Sequence, residues 1–485
     1  GVAAAPTAGS AKIQSFQDFR TPEGRAALPA ALGAAGLDLE TLQRFDGTLQ
    51  VAMPLSQSLW VSMPDAKVTA FSAEMGRRGY RVTRAGPMYR FLHETAPASG
   101  LPEARDSRGL SGKGVLVAYL DEGGDTKHPG IAGDRIRSTK NFTDDGGPAE
   151  VEDEDVSHGT HGMGIVGGAS VDGSPYVGMA PGVDFAIGKV LGRFGGSMAS
   201  VMAGIEWAAS LVADPLKTPV IINMSLGGPA PVDNPMNRLV NSLRLKNIGV
   251  VTAAGNAGPT EGTVSSPANA PLSIAVGAVD KGKRLADYSS RSPKGEREIS
   301  WVDFGGGVFF GMPNPYEIVS MLNTKLAGVI GKQPTGVLWK GQALYHTMSG
   351  TSMAAPHTTG KLALLTERMM KTMSERIGHL PDGYLFYIEE LVERTAVKLG
   401  NAENEVGAGL IDEARALAAL DSALQNPDQV ISDSASLIRA AREKYGQPPA
   451  PVPPQRAAGF ARSLSGIVAG LWSNLVGLGS LFLLR

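Results

Sequence analysis

The stretch Gly350-Thr351-Ser352-Met353-Ala354-Ala355-Pro356 limits what this chain can become more than any other. It sets a serine between a tight glycine turn and a run of small apolar residues that ends in Pro356-His357. Such a run suits a buried helix whose first turn presents a hydroxyl at a surface. A serine used as a nucleophile needs a histidine base, a carboxylate to orient that base, and donors for a developing oxyanion. The chain carries a candidate for each, upstream and in separate settings.

The first is Gly114-Val115-Leu116-Val117-Ala118-Tyr119-Leu120-Asp121-Glu122-Gly123-Gly124. A continuous apolar run ending in an acid and glycines predicts a buried parallel strand. Asp121 then stands at its C-terminal end, where open α/β sheets place their sites. A helix cap or a turn is the plain alternative for such a residue. The second is Ser157-His158-Gly159-Thr160-His161-Gly162-Met163-Gly164. Two histidines three apart suggest a metal site, but the chain has no Cys, only seven His, and no third ligand nearby in sequence. The glycines instead allow close packing at a helix start, with His158 pointing outward. The third is Val250-Val251-Thr252-Ala253-Ala254-Gly255-Asn256-Ala257-Gly258, where Asn256 is either a turn residue or an amide donor. The backbone N–H of Ser352, at the start of its own helix, is a second donor.

Together these segments resemble the subtilases, the subtilisin-like serine proteases. The order Asp, His, Asn, Ser is that of the family, and four linked motifs in order are a specific match. The resemblance implies that Asp121 orients the histidine, His158 is the general base, Ser352 the nucleophile and Asn256 the oxyanion donor. It also implies a substrate-lining strand at Ser225, Leu226, Gly227 and Gly228, and a facing edge at Gly195, Gly196 and Ser197. An extended peptide would lie between these edges by backbone hydrogen bonds. Ser265-Ser266-Pro267-Ala268-Asn269 is similar to the segment near the specificity pocket, and Gly407-Ala408-Gly409-Leu410-Ile411-Asp412 to the family's closing signature. The implied fold is α/β: a subtilisin-like three-layer arrangement, with a mostly parallel central sheet flanked by helices. A small α/β propeptide-like domain is expected in front of it. The expected activity is serine endopeptidase, acting on polypeptides and needing no cofactor for its chemistry.

The chain also departs from the family. It has Asp121-Glu122-Gly123 where Asp-Thr-Gly or Asp-Ser-Gly is usual; the extra carboxylate either perturbs the electrostatics of the triad or, the preferred expectation, faces solvent. It has Gly162-Met163-Gly164 where Val-Ala-Gly is common. The distance from Asn256 to Ser352 is long, and residues 289–345 are read as a surface elaboration near the site. A calcium loop after the histidine helix looks shortened at Ala169 to Ser174. Calcium needs several converging oxygens; structural calcium stays open and no metal ligand is assigned.

The 485 residues allow one large catalytic domain with smaller parts. With 45 basic and 47 acidic residues the net charge is −2, and no long basic run points to nucleic acid. The absence of Cys excludes disulfides but leaves the compartment open. Gly1 to Ala11 show no signal-peptide pattern, so any such peptide is expected to have been removed. The expected organisation is an N-terminal extension (1–43), a propeptide-like domain (44–97), the protease domain (98–425), a helix with a Pro-rich linker (426–455) and a C-terminal hydrophobic helix (456–485). Within 44–93, strands are predicted at Thr48–Met53, Leu59–Met63 and Tyr80–Thr83, and a helix at Ala66–Arg78. Self-cleavage is expected between about Phe91 and Ala96, the alternative being that this region stays as a permanent accessory domain.

Near the C-terminus a capped helix is predicted over Asp433–Tyr445. Pro448 to Pro454 then form a stiff linker. Leu464 to Leu484 is an uncharged stretch of 21 residues, long enough to span a bilayer. The small residues Ser463, Gly466, Gly470, Ser473, Gly477 and Ser480 form one stripe, as at helix contacts in membranes. Spanning a membrane, lying on a membrane or partner helix, and docking on the protease domain all remain open. Protease, Pro-rich linker and hydrophobic helix are together similar to the mycosins, from which the lack of Cys is a departure. The expected location is extracytoplasmic. The rival functions are a catalytically silent subtilase-fold scaffold and a latent zymogen awaiting a partner.

Overall fold

The computed structural model describes residues 2–6, 17–18, 38–53, 58–78, 80–84 and 105–446, except 132, 144, 146–149, 154–156, 194, 308–316 and 330–335. The Pro-rich linker, the hydrophobic segment 464–484 and the expected cleavage region 91–96 lie outside these residues. The chain divides into two compact units, Gly1–Tyr89 and Arg90–Arg485.

The first unit contains β1 (Val2–Pro6), β2 (Gln17–Asp18), α1 (Leu39–Arg44), β3 (Thr48–Met53), β4 (Ser58–Ser62), α2 (Asp65–Arg77) and β5 (Tyr80–Arg84). Its antiparallel sheet runs β2-β3-β4-β1-β5. The sequence boundary at residue 44 leaves out β1, which pairs between β4 and β5. The strand Val-Ala-Ala-Ala-Pro has no apolar–polar alternation, so nothing in its pattern announces it.

The second unit is built on seven strands: β6 (Leu116–Asp121), β7 (Ile136–Asn141), β8 (Asp184–Lys189), β9 (Val220–Met224), β10 (Gly249–Ala253), β11 (Ile274–Val279) and β12 (Trp301–Phe304). They order β12-β11-β10-β9-β6-β8-β7, every pair parallel. A parallel sheet covered on both faces reads as unbroken apolar strands, and β6 is buried at all six positions. Val115, Val117 and Tyr119 belong to one apolar cluster, Leu116, Ala118 and Leu120 to another. This period of two splits the strand between two helical layers. On one side pack α3 (His158–Gly167) and α6 (Thr351–Ile377); on the other, α4 (Met198–Ser210) and α5 (Pro235–Arg244). The expected three-layer α/β architecture with a mostly parallel sheet is what the chain forms.

A second, antiparallel sheet of β13 (Ile318–Met321), β15 (Gln342–Met348) and β14 (Gly336–Trp339) falls within the segment read as a surface elaboration. That reading is corrected. β12 in the same segment is an edge strand of the central sheet, and Ile318, Val319, Met321 and Tyr345 are core residues. After α6 come α7 (Tyr384–Thr395), α8 (Glu403–Val406), α9 (Glu413–Ala423) and α10 (Pro427–Tyr445). The last starts before the predicted Asp433: Asn426 caps it through Gln429 N–H, and Pro427 takes the first helical position, where its missing N–H costs nothing.

Candidate active site

The side chains singled out by the sequence converge at the carboxyl ends of β6, β9 and β10, where strand order reverses on either side of β6. Asp121 ends β6 and is fully buried. Its Oδ1 lies 2.8 Å from His158 Nδ1 and also accepts the Glu122 N–H at 2.8 Å. Its Oδ2 is buried without a hydrogen-bond partner. With Asp121 ionised, Nδ1 is the protonated nitrogen, which leaves Nε2 as the reactive one.

His158 is the first residue of α3, entered through Ser157 in the left-handed region at φ 63°. Two glycines bring this helix close to the sheet. A Cβ on Gly159 would lie 1.8 Å from the Gly123 carbonyl, and one on Gly162 would lie 1.6 Å from the Tyr119 hydroxyl. The departure at Gly162 is therefore matched by a tyrosine on β6. The helix's first amides are taken by carboxylates, which also suits its dipole. Thr160 N–H donates to Asp153 Oδ2 at 2.7 Å, and His158 N–H donates to Glu122 Oε1 at 2.8 Å. Glu122 thus faces the histidine helix rather than solvent, correcting the sequence expectation.

These charges act on each other. Burial alone lowers the basicity of His158, but Asp121, by its charge and its hydrogen bond, then Glu122 and Asp153 outweigh it, raising the pKa to about 9. Burial raises Glu122 to about 7 against the attraction of His158. One turn along α3, His161 Nε2 donates to the Ile318 carbonyl at 3.0 Å, and its ring meets that of His346 edge-on at 4.8 Å. Burial holds both rings neutral. Among the described residues, no group of three or more His, Asp or Glu side chains is gathered to hold a metal ion.

Asn256 lies in the loop after β10. Its Oδ1 accepts both the N–H and the hydroxyl of Thr351, each at 2.9 Å. A backbone N–H can only donate, so the oxygen end is fixed and Nδ2 carries the outward donors. Ser352 follows as the second residue of α6. Neither its amide nor Asn256 Nδ2 has an acceptor among the described residues, so two donors stand unused at the positive end of a long helix. Ser352 Oγ donates to the Ser225 carbonyl at 3.0 Å, and Ser225 Oγ returns a bond to the Ser352 carbonyl at 2.9 Å. No hydrogen bond joins Ser352 Oγ to His158 in this structure.

Ser225, Leu226 and Gly227 continue beyond β9 outside any strand, and Gly228 bridges Ser266 antiparallel. The backbones of Leu226 and Gly227 make no hydrogen bond among the described residues, which leaves an edge to pair with. Gly195 bridges Gly192 in a tight turn before α4, and Gly196 follows it. Sequence reasoning missed the residues that hold the histidine from behind. Asn323 N–H donates to Ser157 Oγ at 2.7 Å and its side chain to Asp153; Ser320 Oγ donates to the His161 carbonyl at 2.7 Å. Asp153 had a weak signal as part of an acidic run before the histidine motif; Asn323, 170 residues further along, had none.

The model of the subtilase family matches residues 112–409. The chain is 33% identical over 265 residues to the major intracellular serine protease of Bacillus subtilis, covering 53% of this chain and 70% of that protein. It is 31% identical over 312 residues to subtilisin Savinase of Lederbergia lenta, covering 64% of this chain and 93% of the relative. Among solved structures, a protease from Pseudoalteromonas arctica matches with a TM-score of 0.52 and 26% identity, over 66% of this chain and 93% of that one.

Proposed function

The chain belongs to the subtilase family and is a serine protease, and from that premise we propose that it cleaves peptide bonds through an acyl-enzyme on Ser352. The observation that carries this reading is the 2.8 Å bond between the buried Asp121 and His158, beside a serine amide and an asparagine amide with no acceptor. In the proposed cycle the Ser352 side chain turns from the Ser225 carbonyl toward His158 Nε2. His158 takes its proton as Oγ bonds to the substrate carbonyl carbon, and Asp121 stabilises the imidazolium. The negative oxygen is received by Ser352 N–H and Asn256 Nδ2. His158 then protonates the leaving amine, and water attacks the ester by the reverse path. The substrate strand pairs with Leu226 and Gly227 on one side and Gly195 and Gly196 on the other. A fluorophosphonate is expected to attach to Ser352 in the processed, folded enzyme. A processed, folded sample that does not react at Ser352 would count against the mechanism.

Asn256→Ala is expected to lower kcat by about 10²–10³-fold, the loss known for removing the corresponding donor in subtilisin, with little change in KM. Steady-state kinetics on a peptide substrate check it; equal losses in binding and turnover contradict the oxyanion role.

The compact first unit supports the further reading that the protein is made as a zymogen, with 44–97 as an inhibitory propeptide cut between Phe91 and Ala96. The uncharged stretch 464–484 supports attachment to a membrane or partner helix at an extracytoplasmic site. Removing residues 456–485 is then expected to release the protein into detergent-free buffer. Equal solubility of the full and shortened chains argues against an anchor.

A further inference from the structure

Glu122 occupies a position where the family pattern has a small hydroxyl, and it does not turn to solvent. Its Oε1 receives the His158 N–H at 2.8 Å, so a carboxylate grips the first amide of α3 one residue after Asp121 grips the ring. The histidine is thereby held at both its backbone and its imidazole by consecutive acids. A threonine hydroxyl at position 122 would supply neither a full charge nor the reach of two extra side-chain atoms. Building on the protease reading above, we propose that Glu122 is a positioning residue. It seats the start of the histidine helix and adds a carboxylate to the charges that face the imidazole.

The groups around His158 decide whether that charge matters. From the end of β6 come Asp121 and Glu122. From the loop before α3 comes Asp153, whose oxygens are occupied by Thr160 and Asn323. Along α3 stands His161, and from β15 His346, both neutral by burial. The nearby buried cation is Lys189, in register with Asp121 on β8, whose Nζ donates to the Glu152 carbonyl; the Glu152 carboxylate holds Thr126. The balance around the imidazole is therefore negative, and Glu122 is the member that departs from the family pattern. Glu122 itself titrates near 7, below His158. It is charged throughout the range in which the imidazolium gives up its proton, so its field opposes that loss.

His158 must be neutral to accept the Ser352 proton. Activity should therefore rise through the His158 titration, late and toward alkaline pH. The experiment compares kcat/KM from pH 5 to pH 11 for the processed wild type, Glu122→Gln and Glu122→Ala on one peptide substrate. Glutamine keeps an oxygen for the His158 amide and removes the charge. Its acid limb should move down by about one pH unit, so that at neutral pH it outpaces wild type by up to about tenfold. Alanine removes both; its limb should move likewise while its alkaline kcat falls. A glutamine limb superimposed on wild type, or a loss equal at every pH, overturns the proposal. A wild-type enzyme whose hydrolysis does not depend on Ser352 overturns the protease mechanism instead, whatever Glu122 does.

Discussion

Ser352→Ala is expected to lower kcat by about 10⁶-fold, the loss known for the nucleophile of subtilisin, while the chain folds normally. The side chain removed is one oxygen whose hydrogen bond in the resting structure is to the Ser225 carbonyl, so little packing is lost. The residual rate should come from Asn256 and the Ser352 amide, which the substitution leaves in place. Burst-phase measurement with an activated ester separates the outcomes: wild type should release about one equivalent rapidly, the variant none. The same variant tests processing. N-terminal sequencing should find wild type beginning between residues 91 and 97 and the variant uncut. Two proteins starting at the same residue near 94 would exclude self-cleavage.

The second large effect is on stability. Asp303 on β12 and Lys361 on α6 are both fully buried, with Nζ 2.7 Å from Oδ1. The pair is embedded in a network: Thr358 Oγ1 donates to Asp303 Oδ2, and Trp301 Nε1 donates to Thr358. Glu413, at the start of α9, is also fully buried with neither carboxylate oxygen hydrogen-bonded, and burial drives its pKa far above the usual range against the pull of Lys361. Lys361→Met leaves Asp303 as a buried negative charge with no cation. Breaking such a pair from one side costs about 3–5 kcal/mol. The urea midpoint of the variant should fall accordingly. Combining it with Asp303→Leu should recover much of the loss, because then no buried charge is left alone. An unchanged midpoint in the single variant would show that the pair contributes nothing to the folded state.

The legible parts of this protein are those whose signal is local. Asp121 and Asn256 follow unbroken apolar runs, and a polar residue after such a run stands at the end of a buried strand. Ser352 sits in a glycine turn before small residues that only a buried helix uses in that order. The illegible parts depend on partners far away in the chain. Glu122 looked like a solvated acid because its partner, the His158 amide, is 36 residues on. Residues 289–345 looked like decoration because they lengthen the interval between Asn256 and Ser352, and nothing local tells what polar Ser320 and Asn323 touch. Those are the side chains that reach α3 and the loop before it, so their polarity marks an interior contact. The glycines of the histidine motif signalled close packing, but only the fold shows that Tyr119 is what occupies the space of the missing Cβ at Gly162.

The all-parallel order of the central sheet also governs how fast the chain can reach this state. No two of its strands can be joined by a hairpin; each pairing waits for a long crossover to close, and loop-closure entropy is lost before any contact repays it. His158 and Ser352 are brought to one place only when crossovers spanning nearly two hundred residues are complete. The upstream unit is the opposite case, with β3 and β4 joined across a short connection. It leaves the ribosome first, and its β3–β4 pair can form on local contacts, although β1 must still find β4 and β5. The protease domain should therefore be the slow, aggregation-exposed step of biogenesis, with refolding yield falling steeply as protein concentration rises.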